Sequence, residues 1–267
     1  EVKGIIKTEK PDVVHFLYGD VFYKYFGLGL EGLKKKHKVV NTIHALKKGK
    51  IGIVSLKRIM HLSSVGVVHT DAIFNEVKDA GIENVLALRG DRRPDVTEKE
   101  DFRHASDLIS YLKPKSDFCF LGACYPECHP ESNNRIDEMK YLKEKVNAGA
   151  EALLSQLFFD NDHFFRFVEN CRIAEIDVPV IPGIMPVINA AQIKRMITMC
   201  GTTFPTRFQK IIDKYENNKA ALFDAGMSYA LSQIIDLLVS DIDGIHLYTM
   251  NNPHVARRIC EGIRNII

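Results

Sequence analysis

Polar and charged side chains follow apolar, strand-length segments at several points of the chain. The clearest example is Asn84–Asp91, in which a short apolar run leads directly into Arg89 and Asp91. An uninterrupted apolar run of this length indicates a parallel strand that is buried on both faces. In α/β proteins ligands bind at the carboxyl ends of such strands, so Arg89 and Asp91 occupy positions suited to cofactor binding or catalysis.

Other predicted strands also end in polar groups. A single histidine in such a place is more often a hydrogen-bonded structural residue than a catalyst, and a strand glutamine usually packs with its amide satisfied. The pattern recurs at the same end of successive strands and not at the opposite end, which favours one shared site. The residues placed in this way are Tyr18, His61, Arg89, Asp91, Tyr125, Glu127, His129, Gln156, Asp160, His246 and Tyr248.

The elements that must position these side chains alternate between strand and helix along the chain. The strand segments are predicted at 12–19, 57–64, 84–91, 117–123, 152–159, 178–184 and 244–250. Helical spacing of apolar residues predicts helices at 70–80, 102–112, 136–148, 162–174, 190–200, 222–239 and 255–265. This alternation is typical of a parallel (β/α) barrel, and no linker divides it, so residues 1–267 are predicted to form one domain.

Composition excludes several classes of function. A net charge of +2 gives no indication of nucleic-acid binding. No apolar run is long enough to cross a membrane, and the N-terminus has no signal-peptide pattern. The one basic block, Lys34–Lys38 with Lys47, Lys48 and Lys50, is either a solvated surface or a docking site for an anionic partner.

The six cysteines do not form the pattern of a secreted disulfide framework. They are predicted to be reduced, mostly buried thiols in a cytoplasmic protein. Cys124, Cys128 and His129 have the spacing of a partial metal site. A second ligand pair is missing from the sequence, so no metal is predicted.

Five short motifs follow one another along the chain. They are Leu88–Asp91, Tyr125–Pro130, Ser155–Asp160, Ile181–Pro186 and His246–Asn251. From about His61 to the C-terminus, this series resembles the methylenetetrahydrofolate reductases. The resemblance implies a (β/α)8 TIM barrel, here with a divergent or missing first strand. It also implies that the barrel binds FAD and reduces 5,10-methylenetetrahydrofolate to 5-methyltetrahydrofolate.

The resemblance also assigns roles to individual residues. The positions implied to contact FAD are Tyr18, His61, Arg89, Gly90, Asp91, Ala105, Tyr125, His129 and Lys145. Those implied to contact the folate are Asp91, Gln156 and Gln192. The chemistry suits these roles, because arginine, histidine and lysine can hold a pyrophosphate and a carboxylate can accept from the pterin amino group. A glutamine offers both a donor and an acceptor to the pterin edge.

The implied mechanism has two stages: NAD(P)H or another donor reduces FAD, and the reduced flavin passes hydride to the methylene carbon. Opening of the folate's five-membered ring needs a proton from a general acid. In the family that acid is a glutamate in a Glu-Phe-Phe-Pro-Pro-like segment, which this sequence lacks. Glu1 is a candidate remnant of it, with residues missing after it, and Asp91 is the other candidate catalytic residue.

Three functional hypotheses follow. The first is a methylenetetrahydrofolate reductase whose N-terminal part is divergent or incompletely represented. The second is a flavin-binding electron-relay subunit of a larger redox complex, without folate turnover of its own. The third, a metal-dependent hydrolase using His61 and His129, lacks the clustered carboxylates and paired histidines that such sites need. In the first two cases we expect a homo-oligomer or a subunit of a complex, with NAD(P)H or a redox protein as electron donor.

Overall fold

The computed structural model describes residues 13–18, 38–43, 65–68, 83–89, 102–250 and 252–267. The first three of these segments, and positions 192, 194, 195, 198 and 199, are described by their backbone alone. The strand predicted at 57–64 and the helix predicted at 70–80 lie outside the described residues. So do four candidate site residues, Glu1, His61, Gly90 and Asp91.

The chain divides into two compact units that interleave along the sequence. The first contains Glu1–Ala123 and Glu144–Glu151, and the second contains Cys124–Lys143 and Ala152–Ile267. The prediction that residues 1–267 form a single domain stays a prediction.

The first unit contains successive parallel strands that pair in chain order. They are β1 (Val13–Tyr18), β2 (Lys38–Ile43), β3 (Val65–Val68), β4 (Asn84–Ala87) and β5 (Cys119–Cys124), whose last residue belongs to the second unit. Helix α1 (Ala105–Leu112) and a 3₁₀ turn (Lys113–Lys115) lie between β4 and β5. One apolar core of this unit contains Val85, Ala87, Leu108, Ile109, Leu112, Phe118, Phe120 and Ala150.

The second unit continues the alternation of strand and helix. Its elements are α2 (Arg135–Asn147), β6 (Ala150–Leu157), α3 (Asn161–Ile173), β7 (Val180–Ile184), α4 (Ala190–Cys200), α5 (Thr206–Tyr215), α6 (Lys219–Leu238), β8 (His246–Leu247) and α7 (Pro253–Ile263), and α2 and β6 are shared with the first unit. Strand β7 pairs in parallel with β6 and with β8. One apolar core contains Leu157, Phe159, Met185, Val187, Ile193, Phe208, Ile212 and Leu222.

Side-chain caps fix where several helices begin. The carboxylate of Asp160 accepts from the Asp162 N–H at the start of α3, and the Asn218 side chain accepts from the Ala221 N–H at the start of α6. Asn252 accepts from two backbone N–H groups at the start of α7, where Pro253 is the first helical residue. These residues satisfy N–H groups that have no partner inside their own helices.

The described residues contain eight strands in chain order, with helices between the later ones, which is the element pattern of a (β/α)8 barrel. The predicted fold class is confirmed, and a first strand is present at β1. Three described elements were not predicted, β2, β3 and α5. In the described part of the chain, no helix has the length and hydropathy needed to cross a membrane.

Candidate functional site

Two cationic side chains reach the carboxyl ends of neighbouring strands in the first unit. Ala87 of β4 pairs with Gly122 of β5, so Arg89 follows β4 at the level where β5 ends. Lys145, from the last turn of α2, donates from Nζ to the Ala123 carbonyl oxygen at 2.5 Å. Both side chains are half-buried. Two cations at one edge of a sheet can neutralise a pyrophosphate.

Two further predicted flavin contacts lie in the first unit. Tyr18 is the last residue of β1, and Ala105 is the first residue of α1. The helix starts after His104, whose backbone N–H donates to the Asp107 carboxylate at 2.8 Å. Backbone N–H groups in a first helical turn have no acceptor within the helix, which suits contact with a phosphate oxygen.

Tyr125 and His129 lie together in the second unit, on the two sides of a tight turn. The turn is closed by a hydrogen bond from the Cys128 N–H to the Tyr125 carbonyl, and Cys128 has a φ of 78°. The two rings pack edge to face, with their centroids 4.5 Å apart. Nδ1 of His129 accepts from the Glu131 N–H at 3.0 Å, which leaves the proton of the neutral ring on Nε2 as a donor.

A buried carboxylate, Glu138 of α2, holds the loop that contains His129. Its side chain accepts from the His129 N–H at 3.1 Å, from the Ser132 hydroxyl at 2.5 Å and from the Cys128 thiol at 3.8 Å. Burial, and then the negative charge of Glu138, raise the pKa of the Cys128 thiol, so this cysteine stays protonated. The sequence motifs did not include Glu138, because a glutamate in a first helical turn normally indicates an exposed position.

The carboxyl ends of β6, β7 and β8 are joined by uncharged hydrogen bonds. The Ser155 hydroxyl accepts from the Gly183 N–H at 2.8 Å, and the Tyr248 hydroxyl donates to the Ser155 carbonyl at 2.9 Å. Gln156, a predicted folate contact, is half-buried next to them, and its amide oxygen accepts from the Leu157 N–H at 2.9 Å. Gln192 lies in the first turn of α4, and its side chain is outside the described residues.

His246 and Tyr248 are both uncharged at neutral pH. Their rings pack edge to face at 4.5 Å. Burial lowers the pKa of His246 from its usual 6.5 to about 4. Burial also raises the pKa of Tyr248, with smaller contributions from Cys124, Tyr125 and Cys200. This part of the second unit therefore offers hydrogen bonds without net charge, which suits a neutral heterocycle.

The low pKa of His246 predicts a loss of stability in mild acid. Between pH 6.5 and 4 the unfolded chain binds a proton at His246 and the folded chain does not. The contribution of the neutral His246 to the free energy of unfolding is therefore present above pH 6.5 and is lost as the pH falls toward 4. Between pH 7 and pH 5, the free energy of unfolding measured in urea should fall by about 2 kcal/mol less in His246→Gln than in the wild type. The exposed His254, changed to glutamine, is the control and should keep the wild-type dependence. If the free energy of unfolding depends on pH equally in His246→Gln and in the wild type, the low pKa of His246 is contradicted.

All six cysteines lie in the described part of the chain, and none of them is in a disulfide. Cys124 and Cys171 are buried and the other four are half-buried. Burial raises the pKa of Cys171 to about 12, which makes this thiol unreactive. The prediction of unpaired thiols agrees with these positions.

The comparisons with known proteins identify the family. The family model for methylenetetrahydrofolate reductase matches residues 26–264. The chain belongs to the methylenetetrahydrofolate reductase family. The match starts well before His61, so the family resemblance extends further toward the N-terminus than the motifs alone indicated.

Individual relatives agree with this assignment to the methylenetetrahydrofolate reductase family. The 5,10-methylenetetrahydrofolate reductase of Escherichia coli is 32% identical over 225 residues, which cover 83% of this chain and 75% of the relative. An Arabidopsis thaliana relative, methylenetetrahydrofolate reductase (NADH) 1, is 32% identical over 216 residues, 74% of this chain and 36% of the relative. A solved structure of a Clostridium thermocellum protein that binds two copies of 5-methyl-5,6,7,8-tetrahydrofolic acid aligns with a TM-score of 0.54 at 15% identity, covering 99% of this chain and 88% of that protein. At that identity the last likeness supports the fold alone.

Proposed function

We propose that this chain reduces 5,10-methylenetetrahydrofolate to 5-methyltetrahydrofolate with FAD as its cofactor. The observation that carries the proposal is the family match over residues 26–264. The E. coli relative is named 5,10-methylenetetrahydrofolate reductase, and the proposed substrate follows from that name. The chain is further proposed to act in the cytoplasm as one FAD-binding barrel domain.

The donor groups in the described residues suit FAD. Arg89 and Lys145 supply positive charge at the β4–β5 edge of the first unit. In the second unit, the Nε2–H of His129 is a further donor, and Tyr125 presents an aromatic ring beside it. By the family resemblance, Arg89 and Lys145 of the first unit, and separately His129 of the second unit, are assigned to the pyrophosphate, and Tyr125 is assigned to an apolar or ring portion of the cofactor.

The folate contacts are assigned to residues with neutral hydrogen-bonding groups and to one carboxylate. Gln156 is held beside the Ser155–Gly183–Tyr248 hydrogen bonds and can donate to, and accept from, a pterin edge. Gln192 and Asp91 complete this set by resemblance. When bound, FAD supplies the hydride that is added to the methylene carbon.

Two parts of the reaction are open to experiment. The proton donor for ring opening is proposed to be Glu1 or another residue, which the family resemblance does not identify. The electron donor is NADH, NADPH or a redox partner protein, and the name of the Arabidopsis relative specifies NADH for that protein alone.

A two-step experiment tests the proposal. The purified chain is first mixed with FAD, and the flavin spectrum of the protein fraction is recorded after removal of free FAD. The reduced holoprotein is then mixed with methylenetetrahydrofolate in a stopped-flow instrument. Flavin reoxidation, with 5-methyltetrahydrofolate formed, is the expected result. Flavin binding without reoxidation would favour the electron-relay subunit instead, and a protein that does not bind FAD would exclude both functions.

Asp91 is expected to act in the folate step and not in flavin retention. Asp91→Asn should keep FAD bound and slow flavin reoxidation by methylenetetrahydrofolate about tenfold, because a charge-assisted hydrogen bond becomes a neutral one. Asp95→Asn removes a charge at a position four residues further along the chain and is the control. Unchanged stopped-flow kinetics in Asp91→Asn would remove Asp91 from the mechanism.

A further inference from the structure

Glu127 is a carboxylate that the roles above do not use. Its side chain is only 10% exposed. Oε2 accepts from the Thr203 N–H at 2.7 Å and lies 3.9 Å from Nε2 of His163. Oε1 is buried and has no hydrogen-bond partner among the described residues. A buried carboxylate that makes so few hydrogen bonds costs stability, which calls for a function.

The position of Glu127 connects two segments with different proposed ligands. It lies in the turn between Tyr125 and His129, the two residues assigned to FAD in the second unit. Thr203 lies in the connection that follows α4, the helix that carries Gln192. The turn and the connection are therefore joined by one hydrogen bond from a backbone N–H to a carboxylate.

Two other contacts hold the same connection close to the turn and the sheet. Gly201 lies near Pro130, because a Cβ atom added at Gly201 would be 3.6 Å from Cγ of the proline. The Thr202 hydroxyl donates to the carbonyl of Leu157, the last residue of β6, at 3.3 Å. The charged group among these contacts is the Glu127 carboxylate, which accepts from the Thr203 N–H and so connects the Tyr125–His129 turn to the segment that follows α4.

We propose that Glu127 is a positioning residue that couples FAD binding at the Tyr125–His129 turn to folate binding at α4. Its carboxylate fixes the turn against the α4–α5 connection, so a ligand that orders one segment also orders the other. This inference rests on the proposed function for the identity of the two ligands. The hydrogen bond between Glu127 and Thr203 is independent of it and can be tested without any ligand.

Two variants separate the hydrogen bond from the charge. Glu127→Met fills a similar volume without an acceptor for the Thr203 N–H. Glu127→Gln keeps an oxygen that can accept from the Thr203 N–H. Glu131→Gln removes an exposed charge from the same loop and is the control.

Hydrogen exchange of the Thr203 amide in the protein without added ligand measures the contact directly. Exchange should become about tenfold faster in Glu127→Met and stay near the wild-type rate in Glu127→Gln and Glu131→Gln. Equal exchange in the wild type and Glu127→Met would reject the contact and the inference with it.

Titrations with 5-methyltetrahydrofolate, without FAD and with saturating FAD, measure the coupling as the ratio of the two dissociation constants. This ratio should fall about tenfold in Glu127→Met and stay near the wild-type value in Glu127→Gln. An unchanged ratio in Glu127→Met would reject the coupling. A fall in Glu127→Gln as large as in Glu127→Met would also reject it, because the charge of Glu127, and not its hydrogen bond to Thr203, would then be responsible. A wild type that binds neither ligand, yet shows the Thr203 exchange effect, would reject the proposed function and the coupling but leave the contact established.

Discussion

Replacing Glu138 by alanine is expected to weaken FAD binding about 100-fold. The side chain is 6% exposed and accepts from the His129 N–H and the Ser132 hydroxyl. Alanine leaves both donors without this acceptor in a half-buried loop, and each loss costs about 1–1.5 kcal/mol. In the variant, the loop that contains His129 has to become ordered when FAD binds. This ordering reduces the binding free energy of FAD. Titration of the variant with FAD, followed by flavin fluorescence, measures the effect.

The control for Glu138→Ala lies on the same helix. Glu144 is exposed, and Glu144→Ala should bind FAD like the wild type. Circular dichroism establishes that Glu138→Ala is folded before the titration. A folded Glu138→Ala protein with wild-type FAD affinity would show that the loop of His129 does not contribute to the cofactor site.

Gly183→Ala is expected to lower the free energy of unfolding by about 3 kcal/mol. A Cβ atom at this position would lie 2.4 Å from the Ser155 carbonyl oxygen and 2.6 Å from Cε2 of Tyr248. Gly183 also donates its N–H to the Ser155 hydroxyl, so neither β6 nor the Tyr248 ring can move away without breaking hydrogen bonds. Urea unfolding should show a lower midpoint with an unchanged slope.

Gly244 provides the comparison for Gly183. A Cβ atom there would meet only Cδ1 of Ile181 at 3.8 Å, an ordinary van der Waals contact. Gly244→Ala should therefore unfold within about 0.5 kcal/mol of the wild type. If Gly183→Ala is as stable as Gly244→Ala, the close approach of β6, β7 and Tyr248 is not a constraint on this site.

The sequence predicted elements most reliably where an apolar pattern and a boundary signal agreed. Helix α4 was predicted with the bounds that it has, Ala190–Cys200. Helix α5 was not predicted, although Phe208 and Ile212 are spaced four residues apart and are both buried. Pro205 precedes that helix and supplies no capping side chain, so the usual start signal is missing. Strand β2 was not predicted, because it lies in a segment rich in basic and aromatic residues.

Contacts in the candidate site were predictable where the residues involved belong to one sequence motif. Tyr125 and His129 were named from one motif, and their rings are in contact. Glu138 could not be named, because its burial depends on the fold of the loop that covers it. Arg89 and Lys145 were named from the family resemblance, but the hydrogen bond of Lys145 to Ala123 was not predicted. Only the strand register and a contact made over more than 20 residues bring Lys145 to the end of β5.

The interleaving of the two units has a consequence for dissecting the chain. Residues Glu144–Glu151 belong to the unit formed otherwise by Glu1–Ala123, and the boundary falls inside α2. A fragment that stops after Ala123 would lack Lys145, which bonds to Ala123, and Glu151, which pairs with Lys113. Neither unit is therefore a continuous stretch of polypeptide, and a single cut cannot release either one intact. Expression of either unit alone would have to use a fragment that includes the part of α2 and β6 belonging to it, or a permuted chain.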